Sequence, residues 1–277
     1  MNNRPERAAP VARASLLSAL WFLCSVALGI LSATPSARAQ YAPSHPAQAN
    51  LVGISQKEWA ARWMRWALTI PIATHPIAQI DGSFAEKGAD TGSDHVFFLG
   101  GIFFGFGPDT ITRDITIPAG THLFFPLVNS NADNTAPLGL PPTNFTPYEL
   151  LTSYPGYSII EMYDNVDYLF CTVDGKPIRN PYAGRQLWDE GFIVRYFDND
   201  NINGFFNYDT SLNTGVFPSD VVTVQDGYYV ALPPLSVGKH VLKFGGSITA
   251  RDPVTGLPLF TAKQDITYNI TVVPKKK

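Results

Sequence analysis

Regular punctuation of the sequence is the feature that most constrains how this chain can fold. After residue 71, a Gly, Pro, Asn or Asp interrupts the chain roughly every 8–12 residues. Between the breaks lie short runs rich in Phe, Val, Ile, Thr and Tyr, among them HVFFLG (95–100), HLFFPLV (122–128), FIVRYF (192–197) and HVLKFGG (240–246). Many short strands at this spacing are typical of sandwiches and jelly rolls. We therefore predict an all-β fold, an antiparallel β-sandwich of jelly-roll-like type.

One amphipathic helix is predicted ahead of the strands, over residues 55–70, packed on the sandwich. Ser55 and Glu58 have the spacing of a capping box, and Pro71 ends the helical pattern. Three tryptophans recur at i, i+4 and i+7, namely Trp59, Trp63 and Trp66. This spacing indicates a helix face buried against a sheet, and the alternative is a platform that stacks on sugars.

The first 39 residues have the pattern of a signal peptide that is removed. Arginines precede the apolar run LLSALWFLCSVALGILSA (16–33), and ARA (37–39) offers a small-residue cleavage site. We expect a secreted or periplasmic protein with no stable membrane span after cleavage. Cys171 is then the single cysteine left, so an intramolecular disulfide is excluded.

The rest of the chain is predicted to form one domain. Residues 40–54 resemble an extended arm, residues 55–273 form the sandwich with its N-terminal helix, and residues 274–277 form a short basic tail. The predicted signal peptide carries four Arg and one Glu, so its removal takes the formal charge from −3 to −6. An acidic protein without a basic stripe is a poor partner for nucleic acid.

Two stretches rich in Asn and Asp are the candidate binding sites. They are NSNADN (129–134) and FDNDNINGFFNYD (197–209). Oxygen donors of this kind suit Ca²⁺, and the hypothesis is a structural calcium held by Asp133, Asp198 and Asp200. The alternative is plain turn chemistry, for which Asn and Asp are equally typical.

The first of these stretches also carries a prediction of local structure. Residues 129–134 are predicted to form a loop at the end of a strand. By alternation Asn129 shares a face with Leu127, so we expect its amide to point inward and to bond to backbone.

Three histidines open strands at His95, His122 and His240. They are either separate rim residues or ligands that meet at one metal, and alternation leaves this open.

Catalytic machinery is not indicated by any motif. There is no G-x-S-x-G elbow, and Cys171 lies in the middle of a predicted strand, as an inert thiol would. Asp189 and Glu190 are adjacent, so on a strand they point to opposite faces. The run GGIFFGFG (100–107) lacks a following helix and resembles a flexible apolar loop, a lid or a contact patch. We predict no catalytic residue; the cofactor is left open, with a structural Ca²⁺ as the candidate.

A resemblance supports export. HVFFLGG, IPAGTHLFFPLVNSNADN, LPPLSVGKHVLKFGG and DITYNITVVP, spread over most of residues 55–273, resemble a family of exported bacterial proteins of unassigned function. That family implies no reaction, cofactor or site residue. We expect a non-catalytic binding or surface-matrix protein whose loops contact glycans, cations or another surface protein. The alternatives are a secreted hydrolase of glycosidase type and a self-assembling surface protein.

Overall fold

The computed structural model describes the chain at residues 41–103, 107–153 and 156–275. The predicted signal peptide, residues 1–39, lies outside these ranges, as do residues 104–106 of the glycine-rich run and the last two residues of the basic tail. None of the described helices is long and apolar enough to cross a membrane.

Strands are the predominant regular secondary structure of the described residues. In chain order these are β1 (Val96–Phe98), β2 (Thr110–Pro118), β3 (His122–Asp133), β4 (Ala136–Pro137), β5 (Tyr168–Val173), β6 (Lys176–Pro177), β7 (Trp188–Tyr196), β8 (Tyr208–Asp209), β9 (Ser219–Leu232), β10 (Gly238–Arg251) and β11 (Pro258–Val273). The α-helices are α1 (Gln56–Thr69), α2 (Pro147–Thr152), α3 (Ile159–Asp164) and α4 (Ile202–Phe205). Single 3₁₀ turns occupy Ile72–Thr74, Ala85–Ala89 and Pro181–Gly184.

Two mixed sheets make up most of the fold. Sheet 1 has the strand order β1-β3-β9-β7, and sheet 2 has the order β2-β11-β10-β5-β6. The strands β4 and β8 form a small separate pair. The prediction of antiparallel pairing is wrong at two places, because β1 is parallel to β3 and β2 is parallel to β11. Alternation of side chains shows which face a residue takes, but not the direction of the neighbouring strand.

The two sheets share one hydrophobic core. Phe125 of sheet 1 and Phe244 of sheet 2 meet across it, with ring centroids 4.4 Å apart. Along β10 the alternation is strict: Leu242 and Phe244 are fully buried, whereas Lys243 faces water and lies 3.8 Å from Asp265. Cys171 is also buried in this core, and burial raises the pKa of its thiol well above the usual range, which keeps it protonated and unreactive.

A second core lies between sheet 1 and helix α1. The helix begins after Ser55, whose hydroxyl accepts from the Glu58 N–H at 3.2 Å. The reciprocal half of the predicted capping box is missing, because the Glu58 carboxylate instead accepts from Arg62 and Arg65. The helix ends just before Pro71, which cannot continue it.

The tryptophan stripe is buried in this second core. Each indole N–H donates to a backbone carbonyl: Trp59 to Leu51 at 2.7 Å, Trp63 to Leu99 at 3.0 Å and Trp66 to Lys87 at 2.9 Å. A buried indole needs such a partner, and here all three have one. The stripe therefore docks the helix and does not form a platform for sugars.

Candidate functional site

The stretch at 129–134 departs from its prediction, because most of it is strand. Strand β3 continues to Asp133, and its second half pairs with β9, with Asn129 opposite Gly227 and Asp133 opposite Thr223. The predicted loop at 129–134 is therefore wrong. A β-bulge explains the difference: the register of β3 against β9 shifts between Pro126 and Val128. The extra residue, Leu127, moves every later side chain to the other face.

Asn129 consequently faces α1 and not the core between the sheets. Its Nδ2 donates to the hydroxyl of Tyr229 at 3.1 Å, so the predicted bond to backbone is also wrong. Gly227 makes room for it, because a Cβ at that position would lie 2.5 Å from the Asn129 Cβ. The Tyr229 hydroxyl in turn donates to the Oε1 atom of Gln225 at 3.0 Å.

A cleft opens beside this stretch of β3. It consists of two adjoining depressions of about 400 Å³ and about 210 Å³. Six residues line both of them: Ile102, Phe103, Asn129, Ser130, Tyr157 and Gln264. The smaller depression adds Asn131 and an apolar wall that includes Trp63 and Met64 of α1.

Gln264 fixes the floor of the cleft. This residue of β11 is buried, and its Nε2 donates to the Leu127 carbonyl of the opposite sheet at 2.5 Å. Its Oε1 accepts from the backbone N–H of Ile102 at 3.1 Å. A Cβ on Gly101 would lie 2.0 Å from that oxygen, so only glycine permits this close approach. One amide thus joins the bulge, the second sheet and the described part of the glycine-rich run.

Three polar groups on the cleft wall have no hydrogen-bond partner elsewhere in the described chain. They are the Oδ1 atom of Asn129, the amide of Asn131 and the hydroxyl of Tyr157. Asn129 and Asn131 lie on one face of β3, two residues apart. Burial, with a smaller effect of Tyr208, raises the pKa of Tyr157, so its hydroxyl stays protonated and able to donate at neutral pH.

A buried ion pair supports the wall from behind. Ser130 bonds to the Tyr163 hydroxyl at 2.9 Å, and the residue opposite Ser130 in β9 is Asp226. The fully buried Asp226 carboxylate accepts three bonds from Arg185, two from Nε at 3.0 Å and 3.2 Å and one from Nη2 at 2.6 Å. Arg185 also pairs with Asp164. Burial raises the pKa of Asp226, and the guanidinium of Arg185 opposes that rise. Because the geometry is bidentate and complete, we treat Asp226 as ionised.

The predicted calcium residues are each engaged in local bonds. The Oδ1 atom of Asp133 accepts from the N–H and hydroxyl of Thr135, and its Oδ2 accepts from Asn203 at 3.2 Å. Burial raises the pKa of Asp133. Asp198 accepts from the N–H of Asp200, and Asp200 accepts from the N–H of Ile72.

The two Asn/Asp stretches do approach each other, through Asn203 and Asp133. However, no group of three or more His, Cys, Asp or Glu within the described ranges has the arrangement of a metal site. The structure therefore brings the two stretches together without assembling Asp133, Asp198 and Asp200 into a group. The bonds they make are those of turns and strand ends.

The three strand-leading histidines do not form one described metal-site group, although His95 and His122 are neighbours: the N–H of His122 donates to the His95 carbonyl at 2.8 Å. His240 bonds through Nδ1 to Asp174 at 2.8 Å and through Nε2 to the Ser236 carbonyl. His95 pairs with its neighbour Asp94 at 3.1 Å. The ring of His122 instead meets His45, a residue of the N-terminal arm that the sequence did not single out.

Comparison with known proteins does not assign this chain to a family. No family model matches the chain, and no curated protein matches it. Among solved structures, the solution structure of amebosin is similar over 60% of this chain and 100% of its own, at 10% identity and a TM-score of 0.15. A similarity this weak carries no conclusion about fold or function.

Proposed function

We propose that this is an exported bacterial protein that binds a glycan, without catalysis, in the cleft beside β3. The observation that carries the proposal is the set of three polar groups that line the smaller depression and have no hydrogen-bond partner in the described chain, the Oδ1 atom of Asn129, the amide of Asn131 and the hydroxyl of Tyr157. Polar atoms that are half enclosed and unpaired are available to a ligand, and pairing them gives both affinity and orientation.

The chemistry of this wall fits a sugar. An amide offers both donors and an acceptor, and a protonated phenol donates, so together they match hydroxyl groups that do both. The opposite sides of the cleft are apolar, with Ile102, Phe103 and Trp63 among the lining residues. The larger depression is within the range of about 300–1,000 Å³ typical of small-ligand sites.

The scaffold and its location belong to the same proposal. We infer that the two sheets form a jelly-roll-like sandwich and that the signal peptide at 1–39 directs the protein to the periplasm or beyond. The resemblance to exported bacterial proteins and the acidic charge support this, and they support a glycan or surface partner over a nucleic acid.

The hydrolase alternative requires two carboxylates that flank one bond. Asp109 is the carboxylate among the described lining residues of the larger depression, and it forms an ion pair with Lys263 at 2.9 Å. No observation favours either this alternative or self-assembly over binding, and both stay predictions.

The test is a glycan array on the purified protein, followed by calorimetry with the best-bound glycan. Tyr157→Phe removes only a hydroxyl that makes no bond to the described protein, so it should leave stability unchanged. It should weaken binding by about 3–10-fold, the value of one hydrogen bond. Asn131→Ala should weaken binding at least as much.

The matched controls are Tyr148→Phe and Asn269→Ala, which alter an exposed phenol and an amide that bonds to Asp114 on the outer face of sheet 2. Both should bind like the wild type. Binding that is unaffected by the two cleft variants, or an array without any signal above background, would overturn the proposal.

A further inference from the structure

The N-terminal arm places one imidazole against another. The backbone N–H of His45 donates to the Ala231 carbonyl at 2.9 Å, which fixes the arm against sheet 1. Its Nε2 atom lies 3.2 Å from the Nδ1 atom of His122, the first residue of β3, and the ring centroids are 5.2 Å apart. Both side chains are half-buried at the rim of the sheet.

We propose that His45 and His122 bind one divalent transition-metal ion of the class that prefers imidazole, such as Zn²⁺, Cu²⁺ or Ni²⁺. Nitrogen ligands suit these ions, whereas Mg²⁺ and Ca²⁺ prefer oxygen.

The distance between the two nitrogens fits a shared ion. Zn–N bonds of about 2.0–2.1 Å and a nitrogen separation of 3.2 Å give an N–Zn–N angle of about 100°, close to tetrahedral. In that arrangement the ring centroids are about 5 Å apart, which agrees with the 5.2 Å observed.

His95 borders the pair, because the backbone N–H of His122 donates to the His95 carbonyl at 2.8 Å. Asp94 pairs with His95 and lies 4.0 Å from Lys275.

Two protein ligands leave the remaining positions to water. Within the described residues no third His, Cys, Asp or Glu completes a metal-site group with them. A bound ion would link the arm to β3, so metal binding should stabilise the folded chain.

The experiment is a titration of the purified protein, free of any histidine tag, with ZnCl₂ by calorimetry and by thermal denaturation. We expect one equivalent of Zn²⁺ per chain and a rise in Tm, with no rise from MgCl₂. His45→Gln and His122→Gln should each raise the Kd for Zn²⁺ at least about 10-fold, as expected when one of two ligands is lost. The matched control His240→Gln, which alters a histidine bonded to Asp174, should bind like the wild type.

A second readout does not depend on stability. The electron paramagnetic resonance spectrum of added Cu²⁺ should show coupling to two imidazole nitrogens, reduced to one in either variant. A Kd for Zn²⁺ weaker than about 1 mM would overturn the proposal. So would variants that both bind Zn²⁺ as tightly as the wild type, because the contact would then be a hydrogen bond between histidines only.

Discussion

The side-chain amide of Gln264 donates to the carbonyl of Leu127, the residue that the bulge of β3 leaves out of register. A bulge interrupts the ladder, and a buried carbonyl there needs another donor. Gln264 supplies it from the facing sheet, 137 positions along the chain. The bulge, and with it the orientation of Asn129 and Asn131 toward the cleft, therefore depends on a contact between the two sheets.

Gln264→Met should reduce the free energy of unfolding by about 2 kcal/mol, because the buried Leu127 carbonyl and the Ile102 N–H lose their partner while the side-chain volume is kept. Urea denaturation measures this. The neighbouring Lys263→Met alters a side chain that faces solvent and should leave the free energy of unfolding close to that of the wild type. Equal stability of the two variants would contradict the role given to Gln264.

Loss of the buried partner of Arg185 should be more costly. Asp226→Ala leaves the Arg185 guanidinium with Asp164 as its remaining carboxylate and should reduce the free energy of unfolding by about 3–5 kcal/mol. Asp220→Ala breaks the exposed pair with Arg195 and should cost no more than about 1 kcal/mol. If chemical denaturation gave the two variants similar losses in the free energy of unfolding, burial of the Arg185–Asp226 pair would make no contribution to stability.

His75 should make the fold sensitive to acid. Burial lowers its pKa to about 4; the bond from its Nε2 to the Ala67 carbonyl opposes this shift, and the charges of Lys87 and Arg113 add to it. Between pH 6.5 and pH 4 the unfolded chain therefore binds a proton at this residue that the folded chain does not, and the contribution to stability is lost as the pH falls. The lowering of the His75 pKa from 6.5 to about 4 corresponds to about 3 kcal/mol in the free energy of unfolding.

The comparison that isolates this contribution is with His75→Asn, which keeps an acceptor near the N–H of Ile77. The advantage of the wild type over the variant, measured by urea denaturation, should shrink by about 3 kcal/mol from pH 7 to pH 4. An advantage that is constant over this range would show that His75 binds a proton equally well in the folded and unfolded chains, and the lowered pKa would be wrong.

Calcium should leave the melting temperature unchanged. The carboxylates of Asp133, Asp198 and Asp200 already accept bonds from Thr135, Asn203, Asp200 and Ile72. If the folded chain bound Ca²⁺, a Ca²⁺ concentration of 100 times the Kd would raise the free energy of unfolding by about 2.7 kcal/mol, which thermal denaturation detects easily. A rise in Tm with millimolar CaCl₂ that Asp133→Asn abolishes would instead restore the calcium hypothesis.

Local patterns in the sequence predicted much of the architecture. The alternation of Leu242, Lys243 and Phe244 predicted which side chains of β10 are buried, and the capping residue Ser55 and the stop at Pro71 mark the ends of α1. These features depend on neighbours within a few residues, so they can be read directly from the chain.

The site depends on contacts that are distant in the sequence. Alternation placed Asn129 with Leu127, and it failed there because the bulge requires a donor from β11. His45 was missed for a similar reason, since it lies in an arm with no periodicity and its partner His122 is 77 positions away. The one local signal of the cleft was the density of Asn in the 129–134 stretch, which indicated polar binding but not its geometry.

The pairing of β2 with β11 has a consequence for biosynthesis. Asn269 bonds to Asp114 across this pair, 155 positions earlier in the chain, so sheet 2 cannot close until its last strand has left the ribosome. Pairings this distant slow folding. During synthesis β2 therefore waits without its partner, and its strand edge stays unpaired until residues 258–273 of β11 have been made.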